Sequence, residues 1–288
     1  MIRKAVIPAA GFGTRVLPMT KAVPKEMLPI VDKPSIQYIV EECVKSGITD
    51  ILIITTRGKE VIEDHFDKSP ELERALSKPG KEALLEQVKG ISELANIYYL
   101  RQKEAKGLGH AILCAREFTG NEPFMVLYPD DVIFGEKPVA LQLIEVYNEF
   151  GKACVGIKAV APEAISRYSS LKVENLKDNI YDVTDMIEKP AKGKEFSLYS
   201  ILGRCLLTPD IYDILEKTEP GAGGEIQLTD AMAVLARDGK MTGVDFAGKR
   251  YDMGNKLGVL TANIEQGVVH NEIGEELKEY LKEFVKTL

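Results

Sequence analysis

The sequence predicts an α/β fold, a mostly parallel central sheet flanked by helices with a smaller antiparallel region. Two observations predict it. Short apolar runs alternate with helix-period segments through the first half of the chain. From Ser170 to Thr208 the pattern changes to alternation, as in SSLKVENL, NIYDVTDMI and LYSILGRCLL.

The candidate strands are Lys4 to Pro8, Ile51 to Thr55, Ile97 to Leu100, Phe124 to Tyr128 and Cys154 to Val160. Between the first two, Ile36, Ile39, Val40, Cys43 and Val44 recur at helical spacing, with Ser35 as the expected N-cap and Gly47 as the stop. A strand, a helix and a parallel strand make a right-handed unit. Ligands of open α/β sheets sit at the carboxyl ends of the strands. The loop beginning at Ala9 and the Asp130–Asp131 turn are therefore expected to face one crevice.

Residues 67 to 95 are charge-rich and helical in pattern, with Pro70 at a helix start and Pro79–Gly80 as a break; they read as solvated helices inserted between two strands. The alternating segment from Ser170 predicts hairpins forming a second sheet. In the tail, Ile273, Leu277, Tyr280, Leu281, Phe284 and Val285 form one helical stripe, expected to dock on its own domain.

Composition narrows the class. The 288 residues suffice for one large domain, and 45% hydrophobic with 28% charged residues describe an ordinary globular chain. A net charge of -7 and the lack of a basic or aromatic stripe argue against a nucleic-acid groove. No apolar run reaches the length of a membrane span, so no membrane partner is expected and a cytoplasmic location is. Cys43, Cys114, Cys154 and Cys205 are widely spaced, with no CxxC pair, which argues against zinc and a disulfide framework. Cys43 and Cys114 fall on apolar faces of the expected helices and read as buried thiols in a reducing compartment.

Chemistry concentrates in KAVIPAAGFGTRVLPMTKAVPKEMLPIVDKP, where Gly11 and Gly13 follow the first strand and Arg15, Lys21 and Lys25 follow the glycines. Glycines let main-chain N–H groups approach a ligand, and the cations can neutralise a polyphosphate. GFGTRV lacks the third glycine of a dinucleotide fingerprint, and the spacing fails the Walker pattern. What remains is a phosphate site with its own countercharges.

The segment resembles the nucleotidyltransferases that join a sugar 1-phosphate to a nucleoside triphosphate, and among them the bacterial and archaeal UTP:glucose-1-phosphate uridylyltransferases. PAAGFGTR, TKAVPKEMLPIVDKPSIQYIVEE, AKGLGHAI, EKP, GEIQLTDA and the Lys-Leu-Gly of YDMGNKLG carry the resemblance, from Ala5 to Gly258. It implies a Rossmann-like nucleotide-diphospho-sugar transferase fold and a single domain. Within that domain, residues 1–160 would bind the nucleotide, residues 161–258 the sugar, and residues 259–288 would form C-terminal helices. The implied reaction takes UTP and glucose 1-phosphate to UDP-glucose and pyrophosphate with Mg²⁺, in a homodimer or homotetramer.

The same resemblance assigns residues. Ala9, Ala10, Gly11, Gly13 and Thr14 form the nucleotide loop, Arg15 steadies the phosphates, and Lys25 steadies the leaving pyrophosphate. Asp130 and Asp252 match metal-facing aspartates. Gln102 and Gly107 match positions that read the base, the glutamine amide donating to a uracil carbonyl and accepting from the ring N–H. Glu188 and Lys189 match the pair holding the sugar and its phosphate, and Gly203 and Glu225 match further sugar contacts. His110, on a helix face, receives no role. Uracil and thymine share the edge that Gln102 reads, so UTP is preferred over dTTP because Pro8-Ala9-Ala10-Gly11 stands where thymidylyl relatives read Leu-Ala-Gly-Gly. Tyr251-Asp252-Met253-Gly254-Asn255 departs from the family's Phe-Asp-Cys-Gly-Ser, which bears on sugar discrimination. A thymidylyltransferase is the alternative within the class, and a non-catalytic sugar-nucleotide-binding module the alternative outside it.

Overall fold

In the computed structural model, which describes residues 1–288, thirteen strands form one large sheet and two ribbons. In chain order they are β1 (Lys4–Pro8), β2 (Pro29–Ile30), β3 (Lys33–Pro34), β4 (Asp50–Thr55), β5 (Asn96–Arg101), β6 (Phe124–Leu127) and β7 (Asp131–Phe134). There follow β8 (Ala153–Ala159), β9 (Ser169–Lys177), β10 (Ile180–Glu188), β11 (Tyr199–Leu207), β12 (Met241–Asp245) and β13 (Lys249–Asp252). The nine-stranded sheet runs β5-β4-β1-β6-β11-β8-β12-β10-β9. Strands β5, β4, β1 and β6 are parallel, while β11 is antiparallel to both its neighbours.

Both faces of the parallel part are covered, which is why these strands read as continuous apolar runs. Ala5, Ile7, Ile51 and Ile53 enter one core, and Val6, Leu52 and Ile54 enter the other. Helix Ser35–Lys45 lays Ile36, Ile39, Val40 and Cys43 into the first core, while Val44 stays exposed. Ser35 is not the N-cap. Extended Pro34 takes that place, and the Ser35 hydroxyl donates to the Glu26 carbonyl at 2.8 Å. Gly47 ends the unit with φ 81°, as its position predicts.

Two further expectations need correction. The alternating segments do form an antiparallel hairpin, β9 with β10, but it extends the far edge of the same sheet instead of making a second one. Alternation reports one covered face and says nothing of which sheet a strand joins. In the tail, helix Gly274–Val285 forms, yet Tyr280 is 62% and Val285 64% exposed, so most of its stripe is not docked on the chain. The helices of the charge-rich insertion, Pro70–Leu76 and Glu82–Ser92, lie between β4 and β5 with no buried residue. No helix is long and apolar enough to cross a membrane.

The parallel order puts the carboxyl ends of β1 and β6 side by side where their connections diverge, β1 leading to β4 on one side and β6, by way of β7, to β8 on the other, beyond β11. Crevices open at such points. The ribbon of β7 and β13 pairs Asp131 with Asp252. It carries a C-terminal carboxylate to the end of β6.

Candidate active site

The loop after β1 turns its carbonyls inward. The Lys59 ammonium donates to the carbonyls of Ala9 (2.5 Å) and Gly11 (2.7 Å) and to both oxygens of buried Glu26. In a trans peptide the C=O and the next N–H point opposite ways. The N–H groups of Ala10 and Phe12 are thereby directed away from Lys59, and none from Ala10 to Gly13 has an acceptor within the chain. Such a row of free amides is suited to an anion. Gly13 has φ 68°, and a Cβ there would lie 3.1 Å from Lys25 Cβ, so the chain itself requires that glycine. A Cβ on Gly11 would meet only Lys25 Cε at 3.9 Å, so the fold alone leaves this position open. Thr14 opens the short turn Thr14–Val16 that carries Arg15.

Four charged side chains from three distant segments meet beyond this loop. Lys25 Nζ lies 2.7 Å from Asp130 Oδ2, and Arg15 reaches the same oxygen at 3.4 Å and Asp252 at 3.8 Å. Burial disfavours charge on both Lys25 and Asp130, but their mutual attraction, joined by Glu26 beside the lysine and Arg15 beside the aspartate, outweighs it, raising the lysine and lowering the aspartate from their ordinary values. The Met253 N–H donates to the Asp130 carbonyl at 2.7 Å, tying the two aspartate loops together.

Gly254 tests the fit of a metal. A Cβ on it would lie 2.9 Å from Asp252 Oδ1 and 3.0 Å from Asp130 Oδ2 and would meet the Arg15 guanidinium, so both carboxylates border one small space that the tip of the exposed Arg15 side chain enters. No cluster of three or more ligating side chains exists. Two hard oxygens without a full protein cage suit Mg²⁺, which keeps waters and substrate phosphates as its other ligands.

A cleft of about 550 Å³ opens beside these groups, lined among others by Arg15, Asp130, Asp252, Glu188 and Lys189. Adjacent strand residues point to opposite faces. Lys189, however, is left-handed, with φ 44°, and turns back into the cleft, its ammonium 3.7 Å from Glu188. Glu188 also accepts from the Thr229 hydroxyl at 2.8 Å. Non-glycine residues held at positive φ cluster at functional sites.

The other sequence candidates stand around this centre. Gly203, with φ 81°, lies against Asp131, where a Cβ would come within 2.5 Å of Asp131 Cβ, and its carbonyl accepts from the Tyr128 N–H. Gly107 packs against the Glu225 Cβ and the Ile226 backbone in the same way. Glu225 is exposed, 3.5 Å from the Gln227 amide, and it is Gln227 and Thr229 that line the cleft. Lys21 is exposed and makes no ion pair. Gln102 is buried, and both hydrogens of its amide nitrogen are engaged, by the Gly107 carbonyl and by His110 Nδ1. Its Oε1 has no hydrogen-bond partner within the chain.

Sequence reasoning missed Lys59, Glu26, Arg250 and Tyr168, and placed Asp131 at the crevice without giving it a role. Arg250 donates to Asp131, lies 3.9 Å from Asp252, and its guanidinium is 5.3 Å from the Tyr168 ring centre. Burial pushes Asp131 up to about 6, with Arg250 opposing and Asp130 and Asp252 assisting. Its position beside Asp130 in LYPDD was the available signal; Lys59 lies in an exposed-looking TTRGKE turn and offered none.

A free-amide loop after a parallel strand, cations behind it and paired carboxylates facing them define a nucleotidyl transferase, and the family model of that description matches residues 4–266; the chain belongs to that family. Within it, the chain belongs with the UTP–glucose-1-phosphate uridylyltransferases. It is 50% identical over 281 residues to the one of Bacillus subtilis strain 168, covering 98% of this chain and 96% of that one. Among solved structures, a UDP-glucose pyrophosphorylase complexed with UDP-glucose superposes with a TM-score of 0.85 at 42% identity, covering 92% of this chain and 98% of its own. The UTP-bound enzyme of Acinetobacter baumannii gives 0.90 at 36% identity, covering 98% and 99%.

Proposed function

We propose that the chain transfers the uridylyl group of UTP to α-D-glucose 1-phosphate, forming UDP-glucose and releasing pyrophosphate by direct displacement. The observation that carries this reading is the convergence of Arg15 and Lys25 with Asp130 and Asp252 behind the free amides of residues 10–13. The named activity of relatives at 50% identity supports the choice of UTP and glucose.

Both substrates are anions, so the protein must screen their repulsion and hold the attacking oxygen in line with the α-phosphorus. The loop amides of Ala10, Gly11, Gly13 and Thr14, with Arg15, steady the triphosphate, while the Ala9 N–H is held by the Ile54 carbonyl and anchors the loop to the sheet; Lys25 receives the charge that develops on the leaving pyrophosphate. Lys189 binds the sugar's phosphate, while Glu188, Gly203 and Glu225 orient the sugar. Gln102 accepts from the imide N–H of uracil, which lies against Gly107. No side-chain nucleophile is needed. Asp130 and Asp252 would hold Mg²⁺, which would supply charge neutralisation and Lewis-acid polarisation at the reacting phosphate.

The halves 1–160 and 161–258 fall to nucleotide and sugar, with residues 259–288 as the helical tail, in one domain that shares one sheet. The exposed stripe of helix Gly274–Val285 supports a homodimer or homotetramer, and four free thiols support a reducing, cytoplasmic setting. Pyrophosphate release with glucose 1-phosphate and Mg²⁺, measured against UTP, dTTP, ATP, CTP and GTP in turn, tests the reading. Release with UTP far above the rest is expected. Preference for dTTP would make the chain a thymidylyltransferase, and no release from protein that still binds UDP-glucose would make it a binding module.

A further inference from the structure

The amide of Gln102 sits in a fixed frame. Its Nε2 lies 3.2 Å from the Gly107 carbonyl and 2.9 Å from His110 Nδ1. A carbonyl can only accept, so the amide nitrogen faces Gly107, and the opposite orientation would set two oxygens against each other. With the nitrogen so placed, His110 Nδ1 must accept as well. Its imidazole is therefore neutral, with the proton on Nε2. Both of the frame's acceptors belong to the start of one helix, Leu108–Leu113: Gly107 is its N-cap and also accepts from the Ala111 N–H, and His110 is its third residue. Gln102 Oε1 has no partner within the chain and is not among the sealed, unpaired polar atoms, which are Thr55 Oγ1 and the Tyr99 hydroxyl.

We infer that His110 is a specificity-determining positioning residue, which locks the Gln102 amide with its oxygen towards the base and so makes the site select a pyrimidine bearing an N3–H. The inference rests on the proposed reading of Gln102 as the residue facing uracil. Uracil and thymine carry a proton on N3, which the oxygen accepts; cytosine carries a lone pair there, which the oxygen repels. A free glutamine could flip and present its NH₂ to cytosine instead. The lock removes that option, and it works through geometry without touching the nucleotide. Burial and the charge of Lys106, opposed by Glu104, hold His110 below the ordinary histidine value, in keeping with an imidazole that must stay an acceptor.

The test compares UTP and CTP with glucose 1-phosphate and Mg²⁺ in steady state for the wild type, His110→Phe, His110→Asn and Gln102→Ala. Calorimetric binding of each nucleotide alone separates binding from turnover. In His110→Phe the KM for UTP is expected to rise about tenfold with little change in kcat, and the UTP over CTP preference in kcat/KM to fall about tenfold or more. His110→Asn, whose Oδ1 can stand where Nδ1 stood, is expected to recover most of the preference. An unchanged preference in His110→Phe, with a lowered one in Gln102→Ala, would overturn the role of His110 while leaving Gln102 as the base reader. An unchanged preference in Gln102→Ala would overturn both. If His110→Phe does not fold, the same criterion applies to His110→Leu.

Discussion

Lys59 and Glu26 form an ion pair at 2.8 Å with side chains 7% and 0% exposed, and the same ammonium holds two carbonyls of the glycine loop. Burial draws the lysine below its ordinary value and pushes the glutamate above its own, each partner resisting the shift of the other. Glu26 follows Lys25, so one buried contact sets both the loop that faces the phosphates and the segment that carries the lysine between them.

Lys59→Met is expected to destabilise the protein by about 3–5 kcal/mol, because the Glu26 carboxyl is left buried without its partner. The double variant Lys59→Met/Glu26→Leu removes that penalty and is expected to recover most of the melting temperature. Its UTP affinity should nevertheless stay well below wild type, since nothing then turns the Ala9 and Gly11 carbonyls inward. Melting curves and calorimetric UTP binding read the two effects separately. Wild-type affinity in the double variant would show that the pair serves stability alone.

Two glycines should fail in different ways. Gly203→Ala meets both a left-handed backbone and the Cβ of Asp131 at 2.5 Å, and is expected to cost about 2–4 kcal/mol of stability. At Gly254 the nearest obstacle is Arg15 Nη2, the tip of a flexible side chain that is 62% exposed. Gly254→Ala should therefore fold normally and lose activity about tenfold or more, because the methyl group enters the space between the two carboxylates. Equal melting losses in the two variants would count against this division.

Much of this centre was legible in the sequence, for reasons that differ by residue. Ala5 to Ile7, Ile51 to Ile54 and Phe124 to Leu127 announced parallel strands because both faces of the sheet are covered there, and strand order then placed the loop at Ala9 beside Asp130. Asp252 joins them through the pairing of β7 with β13, two short strands more than a hundred residues apart with no local signal; only the family resemblance pointed to it. Lys59 was illegible because a lysine in a turn reads as solvated, and only the three-dimensional course of the loop reveals its four acceptors. The hairpin β9–β10 was read correctly as antiparallel and wrongly as a separate sheet, since period-2 alternation carries no information about the neighbouring strand.

Asp130 and Lys189 should separate kinetically. Asp130→Ala is expected to lower kcat about a hundredfold or more even at saturating Mg²⁺, as loss of a major electrostatic group does. Lys189→Ala should mainly raise the KM for glucose 1-phosphate, because its ammonium lies across the cleft by Glu188 and away from the Lys25–Asp130 pair. Removing the metal with a chelator should silence the wild type, and titration with Mg²⁺ should restore it. An Asp130→Ala enzyme with wild-type turnover would exclude the aspartate from the reaction centre.

The thiols give a prediction about pH. Burial pushes Cys154 and Cys205 up to about 12 and raises Cys43 as well, while Cys114 is only partly buried and less perturbed. The thiolate is the nucleophile, so at pH 8 an alkylating reagent is expected to label Cys114 in the native protein and all four cysteines in denaturant. The same shifts tie folding to pH. Between the ordinary thiol value of 9.0 and about 12 the folded chain retains protons that the unfolded chain has released. Stability from these groups is thus fully present below pH 9.0 and falls as pH rises towards 12. Melting temperatures across that range, compared between wild type and Cys154→Ser/Cys205→Ser, should show a shallower alkaline decline in the variant. Native labelling of more than one cysteine, faster than unfolding, would contradict the burial that underlies the argument.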